Sequence, residues 1–88
     1  MTLSLKTIKI LKSEALSVVK NSGYNSEEEK SEIKDIKTIK NARSAINYFQ
    51  GTAWDLESFV HLISHIKISS RDKIQLLGLA TKLKDDWD

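Results

Sequence analysis

The feature that most constrains this chain of 88 residues is a stretch from Ser26 to Phe49 that contains neither proline nor glycine. The stretch starts on the capping-box pattern Ser26-x-x-Glu29 and stops just before Gly51, and both are typical helix boundaries. It carries an apolar series and a basic series at helical spacing, namely Ile33, Ile36, Ile39, Ala42, Ile46 and Phe49, and Lys34, Lys37, Lys40 and Arg43. The sequence therefore predicts one long surface helix over residues 26–50 and an all-α protein.

Periodicity and capping residues predict three further helices, at about 4–20, 53–66 and 70–86. The residues expected on the buried faces of the first and last helices include Leu5 and Ile74. Because short loops favour antiparallel neighbours, the prediction is a single antiparallel four-helix bundle that forms one domain over residues 1–88. The alternating opening TLSLKTIKI leaves a short initial strand as an alternative.

Composition and charge narrow the functional classes. The chain has no cysteine, which excludes a disulfide framework and a thiolate metal site. Its opening lacks the clean apolar centre of a signal peptide and its apolar runs are short, so we expect a cytoplasmic protein. The net charge is only +2, but lysines concentrate on the first, second and last predicted helices. Such faces favour an acidic partner or peripheral contact with an anionic membrane.

No catalytic motif occurs in the sequence. There is no GxSxG sequence, no glycine-rich phosphate loop and no cysteine nucleophile, so we expect a protein that is not an enzyme and uses no cofactor. Glu57, His61 and His65 share one helix face at four-residue spacing. Side chains at this spacing can bind one divalent metal ion together. Without HExxH or cysteine the sequence predicts no metal site and favours surface histidines, although metal binding by these three side chains stays open.

The segment 62–77, LISHIKISSRDKIQLL, has the outline of a helix-turn-helix. A polar series opens its second helix and could contact phosphates and base edges. Two details argue against this motif: Lys67 stands where such turns usually have glycine, and Ile74 lies one residue later than the usual register. A DNA-binding regulator is an alternative function, and the basic series from Lys34 to Arg43 would add phosphate contacts.

In the order of its features the chain resembles the immunity proteins of pediocin-like (class IIa) bacteriocins, of the enterocin A immunity type. A lysine-containing amphipathic first helix, the loop 21–25 and a long charged helix precede LESFVHLISHI, the turn KISS and DKIQLLGLATKL. The resemblance implies a cytoplasmic, non-catalytic protein that acts at the inner membrane face. Its partner would be the mannose phosphotransferase permease, a sugar-uptake receptor, with the bacteriocin already bound to it.

Specificity in that family lies in the C-terminal half, so the resemblance implies contact residues in the last helix and its tail: Arg71, Lys73, Lys82, Lys84 and Trp87. Trp87 is expected to protrude, because an aromatic ring near an acidic terminus is a plausible interface residue. A phage- or plasmid-encoded inhibitor of a host protein is a further alternative, since it would show the same sequence features.

Overall fold

The computed structural model describes residues 2–52 and 54–87, and within these ranges the regular secondary structure is entirely helical. Five α-helices and a short 3-10 turn follow one another along the chain: α1 (Leu5–Lys20), α2 (Ser26–Ile36), α3 (Ala42–Gln50), α4 (Leu56–His65), α5 (Ser70–Lys82) and the turn Lys84–Asp86. The predicted all-α class is confirmed, and the alternative of an initial strand is wrong. Ala53, the predicted start of the third helix, lies outside the described residues.

The predicted long helix over 26–50 is two helices, so the prediction of a four-helix bundle is wrong. α2 ends at Ile36 and α3 begins at Ala42, although no glycine or proline separates them. A reciprocal capping box starts α3: Asn41 Oδ1 accepts from the Ser44 amide at 2.8 Å, and Ser44 Oγ accepts from the Asn41 amide at 3.0 Å. These local bonds satisfy the exposed amides of a new helix start, which is why ordinary polar residues can end one helix and begin another.

The connection between α2 and α3 places an isoleucine in the protein interior. Thr38 Oγ1 donates to the Asp35 carbonyl at 2.6 Å, and between this bond and the α3 cap the Ile39 side chain is completely buried. In a straight helix the apolar residues of this region, which step mainly by three, would wind around the axis. The break turns the chain so that Ile36, Ile39 and Ile46 all enter one core.

The start of α2 also differs from its prediction by one residue. Asn25, and not Ser26, is the cap: its Oδ1 accepts from the Glu28 amide at 2.9 Å. Asn25 Nδ2 in turn donates to Glu28 Oε1 at 2.9 Å. Glu27, Glu28 and Glu29 then occupy the first turn, where their charge complements the positive end of the helix dipole.

The buried apolar side chains form one cluster with members from all five helices. α1 packs against α2, and α5 packs against both α3 and α4. Aromatic rings fill the region around α3 and α4: the Phe49 ring lies 5.0–5.3 Å from the rings of Tyr48, Trp54 and Phe59. The pairs with Tyr48 and Trp54 are edge-to-face, and such pairs add about 0.5–1.5 kcal/mol each beyond the area that they bury.

Among the apolar side chains that were predicted to be buried, Leu5 and Ile74 are the most exposed. Leu5 is 79% exposed and Ile74 is 71% exposed. Each stands two residues from a buried polar side chain, Leu5 from Thr7 and Ile74 from Asp72. Two residues rotate a helix by about 200°, so burying the polar residue directs the apolar one outward. The sequence pattern misplaced these faces because it assigned the interior to apolar residues alone.

We predict that Asn41→Ala destabilises the protein, because the Ser44 amide loses its acceptor and the break between α2 and α3 loses its cap. The expected loss in the free energy of unfolding is about 0.5–2 kcal/mol. Urea denaturation followed by circular dichroism measures it. Asn47→Ala is the matched control, since Asn47 is exposed in the middle of α3 and its replacement should leave stability unchanged or slightly higher. Equal stability of the two variants would contradict the assigned cap.

Candidate contact surface

The first two residues that the resemblance implies as contacts are engaged with the protein's own backbone. The Arg71 guanidinium donates to the Thr2 carbonyl at 3.3 Å and lies 3.6 Å from the carboxylate of Asp72. Lys73 Nζ donates to the Ser64 carbonyl at 3.3 Å, which connects α5 to the preceding helix. Both side chains remain partly accessible, but part of their hydrogen-bonding capacity stabilises the fold.

The remaining predicted residues of the C-terminal half form what we call the C-terminal turn, residues 82–87. Lys82 and Lys84 are exposed. Trp87 does not protrude, so that prediction is wrong: its ring lies 5.0 Å from the Phe59 ring, and its Nε1 donates to the Ala80 carbonyl at 3.2 Å. The indole holds the chain against α4 and α5, because its apolar body and its single donor both find partners inside the fold.

A second hydrogen bond holds the C-terminal turn. Gln50 Nε2, at the end of α3, donates to the Leu83 carbonyl at 3.3 Å. The turn is therefore attached to α3 by Gln50 and to α4 and α5 by Trp87. Lys82 and Lys84 project from a segment whose backbone is already ordered, so a partner would meet them without a large cost in backbone entropy.

The basic series of the predicted long helix does not form one stripe. All four side chains are exposed, but they belong to three segments: Lys34 to α2, Lys37 and Lys40 to the connection, and Arg43 to α3. A continuous basic face requires one helix axis, which the break at residues 37–41 removes. The four cations stay candidates for contact only as parts of separate local surfaces.

The segment 62–77 comprises the end of α4, a short connection and most of α5. Ile66 is buried and Ile68 is half-buried in that connection, and Ile74 faces outward from α5. α4 and α5 pack against each other, as in an ordinary helical hairpin. The helix-turn-helix function stays a prediction.

A buried carboxylate joins the starts of α1 and α5, and sequence reasoning missed it. Asp72 is fully buried, and its Oδ2 accepts from Thr7 Oγ1, from Ser4 Oγ at 3.0 Å and from the Ser4 amide at 3.4 Å. The Asp72 amide donates to Ser69 Oγ at 3.2 Å, which caps α5. One negative charge thus lies near the positive ends of two helix dipoles.

These hydrogen bonds determine the charge state of Asp72. Donation from Thr7, and then from Ser4, holds the pKa of the Asp72 carboxyl below its usual range, against the opposing effect of burial. Within residues 2–52 and 54–87 its second oxygen, Oδ1, accepts no hydrogen bond, and the neighbouring charge is the Arg71 guanidinium. The pattern Ser69-x-x-Asp72 is a capping-box signal, but the burial comes from α1, which is distant in sequence.

A smaller polar contact lies beside a cavity of about 290 Å³ between α1, α2 and the start of α4. The Tyr48 hydroxyl donates to Glu32 Oε2 at 3.2 Å, which ties α3 to α2. Burial, and then the charge of Glu32, raise the pKa of the Tyr48 phenol above its usual value. The phenol therefore stays protonated and keeps its donor at neutral pH.

The three side chains considered as metal ligands line one groove of about 500 Å³ along α4. The His61 and His65 rings are tilted by 36° relative to each other, with their centroids 4.0 Å apart. Among the residues that the structure describes, no group of three histidine, aspartate or glutamate side chains is placed to hold a metal ion. The structure thus pairs the two histidines without bringing Glu57 to them.

Comparisons with family models, with curated proteins and with solved structures found no match for this chain. Over residues 2–52 and 54–87, none of the helices combines the length and the apolar character that crossing a bilayer requires. A functional proposal therefore depends on the residues and their geometry, together with the resemblance in feature order.

We predict that Asp72→Ala lowers the free energy of unfolding by about 1–3 kcal/mol, because the hydroxyls of Ser4 and Thr7 lose a buried acceptor. Because folding lowers the pKa of Asp72, its stabilising effect is present above the unfolded carboxyl pKa of about 3.9 and is lost as the pH falls through the folded value. Denaturant titrations from pH 7 to pH 2 should show a steeper acid loss for the parent than for Asp72→Asn.

The matched control for the buried carboxylate is Asp86→Asn, which removes an exposed carboxylate from the 3-10 turn. Its unfolding curve should follow the parent at every pH. If Asp72→Ala were as mild as Asp86→Asn, the network around Asp72 would not contribute to stability.

Proposed function

We propose that this chain is a bacteriocin immunity protein that protects a producer cell by non-catalytic contact with a membrane receptor. The partner would be the mannose phosphotransferase permease with its bound bacteriocin, approached from the cytoplasmic face of the membrane. The observation that carries the proposal is the C-terminal turn, where the exposed Lys82 and Lys84 stand on an anchored backbone in the half of the chain that the resemblance implicates.

The chemistry of the turn supports a contact role. The ammonium groups of Lys82 and Lys84 are two residues apart in sequence. The indole of Trp87 donates to the Ala80 carbonyl and so orders the segment that carries them. Preordered segments lose little conformational entropy on binding, so a few contacts suffice for useful affinity. Positive charge also suits a protein that works beside the anionic inner leaflet, where each basic residue near the surface contributes about 1 kcal/mol.

The structure changes which residues should be mutated to test the proposal. Arg71, Lys73 and Trp87 all make contacts within the fold, so their loss would confuse stability with recognition. Lys82 and Lys84 are exposed, and a substitution at either position removes charge without removing a described side-chain bond. They are the residues whose replacement reports on contact.

The test is a challenge assay in a sensitive Gram-positive host that expresses the chain and is exposed to a panel of pediocin-like bacteriocins. The parent should raise the inhibitory concentration of one or two of them. In the double variant Lys82→Ala, Lys84→Ala the increase in inhibitory concentration should be about tenfold smaller. That difference corresponds to about 1.4 kcal/mol of contact energy. Circular dichroism should show the same melting temperature as the parent.

The matched control removes the same charge elsewhere. Lys6→Ala, Lys9→Ala takes two exposed lysines from α1 and should protect as well as the parent. An equal loss in both double variants would indicate a general charge effect and would contradict a contact site at the C-terminal turn. Protection against none of the bacteriocins, with expression verified, would count against the immunity function itself.

Duplex binding distinguishes the DNA-binding alternative. An immunity protein should not bind duplex DNA at physiological salt. A regulator that uses the segment 62–77 should bind it with an affinity that falls steeply with salt. Arg71→Ala should also weaken that binding at temperatures where circular dichroism shows the variant to be folded. An inhibitor of another host protein would instead capture that protein in a pull-down, without protection and without DNA binding.

A further inference from the structure

The two histidines of the chain are neighbours on one exposed face of α4. The sequence has only two histidines, His61 and His65, four residues apart and therefore one turn apart on the helix. Both side chains are exposed, and their ring centroids lie 4.0 Å apart with an interplanar angle of 36°. The two rings are thus neighbours, tilted against each other, at the surface, where solutes can reach them.

A hydrogen bond determines which nitrogen of His65 is available to a ligand. His65 Nδ1 lies 2.9 Å from the His61 carbonyl oxygen. A carbonyl oxygen can only accept, so the neutral imidazole must carry its proton on Nδ1. The other nitrogen, Nε2, then has its lone pair free. Histidines that ligate metals usually have this arrangement, in which the second ring nitrogen donates to a carbonyl or carboxylate and fixes both tautomer and orientation.

The two rings must separate before a single ion can bind to both. Zn²⁺ binds imidazole nitrogen at about 2.0–2.1 Å, so two nitrogens at tetrahedral positions lie about 3.3–3.4 Å apart. The ion lies in the plane of each imidazole that binds it, so the tilted rings, with centroids 4.0 Å apart, must open until their centroids are about 5 Å apart. The His65 ring is held by its bond to the His61 carbonyl, so this opening is a rotation of the exposed His61 side chain.

We propose that His61 and His65 form a two-imidazole site for a divalent transition metal, with His65 binding through Nε2. Imidazole ligands suit Zn²⁺, Ni²⁺ and Cu²⁺, and they do not suit Mg²⁺ or Ca²⁺, which prefer oxygen. Water completes the coordination, since within the described ranges no third side chain joins the pair. The open groove of about 500 Å³ along α4 leaves room for those waters. The site is independent of the C-terminal turn.

Nuclear magnetic resonance of tag-free protein tests the site directly, because only two imidazoles contribute signals. Long-range ¹H–¹⁵N spectra at neutral pH should show the Nδ1–H tautomer for His65. Titration with ZnCl₂ should shift both imidazoles together and saturate at one ion per chain. A chelator should reverse the shifts. If only one imidazole responded, or if His65 carried its proton on Nε2, the two-imidazole site would be wrong.

Substitutions test the two ligands separately. His61→Gln and His65→Gln should each weaken Zn²⁺ binding by at least about tenfold, since the loss of even an outer-shell partner commonly costs 10–100-fold in affinity. Glu57→Gln, one turn earlier on the same helix, is the control and should bind as the parent does. Zn²⁺ should raise the melting temperature of the parent and of this control only. Unchanged affinity in either histidine variant would overturn the proposal.

Discussion

The buried carboxylate of Asp72 is the contact on which the placement of the starts of α1 and α5 depends. It accepts from both Ser4 and Thr7, so it holds the start of α1 against the start of α5. A charge inside a small protein is costly unless hydrogen bonds and dipoles compensate it, and two helix starts supply both here. The same junction allows Arg71 to reach the Thr2 carbonyl. One polar contact thereby orders the N-terminal segment and fixes the rotation of α5 about its axis.

The rotation of α5 governs what the rest of the chain can bury. With Asp72 inward, Leu76 and Ala80 follow on the same side, and Ile74 is directed outward. α5 then packs between α3 and α4, where the rings of Phe49 and Phe59 are close. After α5 the chain passes this aromatic cluster, and the indole of Trp87 packs against the Phe59 ring. The C-terminal turn is thus a consequence of core packing.

Some of the candidate contact residues make hydrogen bonds within the fold, and others are exposed side chains with no described bond. Arg71, Lys73 and Trp87 were candidate contacts implied by the resemblance, yet each bonds to a carbonyl within the fold. Lys82 and Lys84 keep their charges at the surface of an ordered turn. On the opposite flank of α4 from the packed rings the two histidine side chains are also exposed, and His65 bonds to the His61 carbonyl through Nδ1 alone. The surface therefore offers two separate chemistries, a basic turn and an imidazole pair, both supported by α4 and α5.

The sequence by itself determined the helical class, because apolar spacing, glycine positions and capping residues are local signals that act within a few residues. It also located both ends of α1 and the start of α5 closely, although the last helix was predicted to run to residue 86 and α5 ends at Lys82. The break before Asn41 was invisible because no glycine or proline marks it and because the burial of Ile39 needs partners from elsewhere. The inward position of Asp72 likewise needs hydroxyls more than sixty residues away in sequence. Only the tertiary structure could decide these features, since burial is a property of what a side chain packs against and not of the side chain itself.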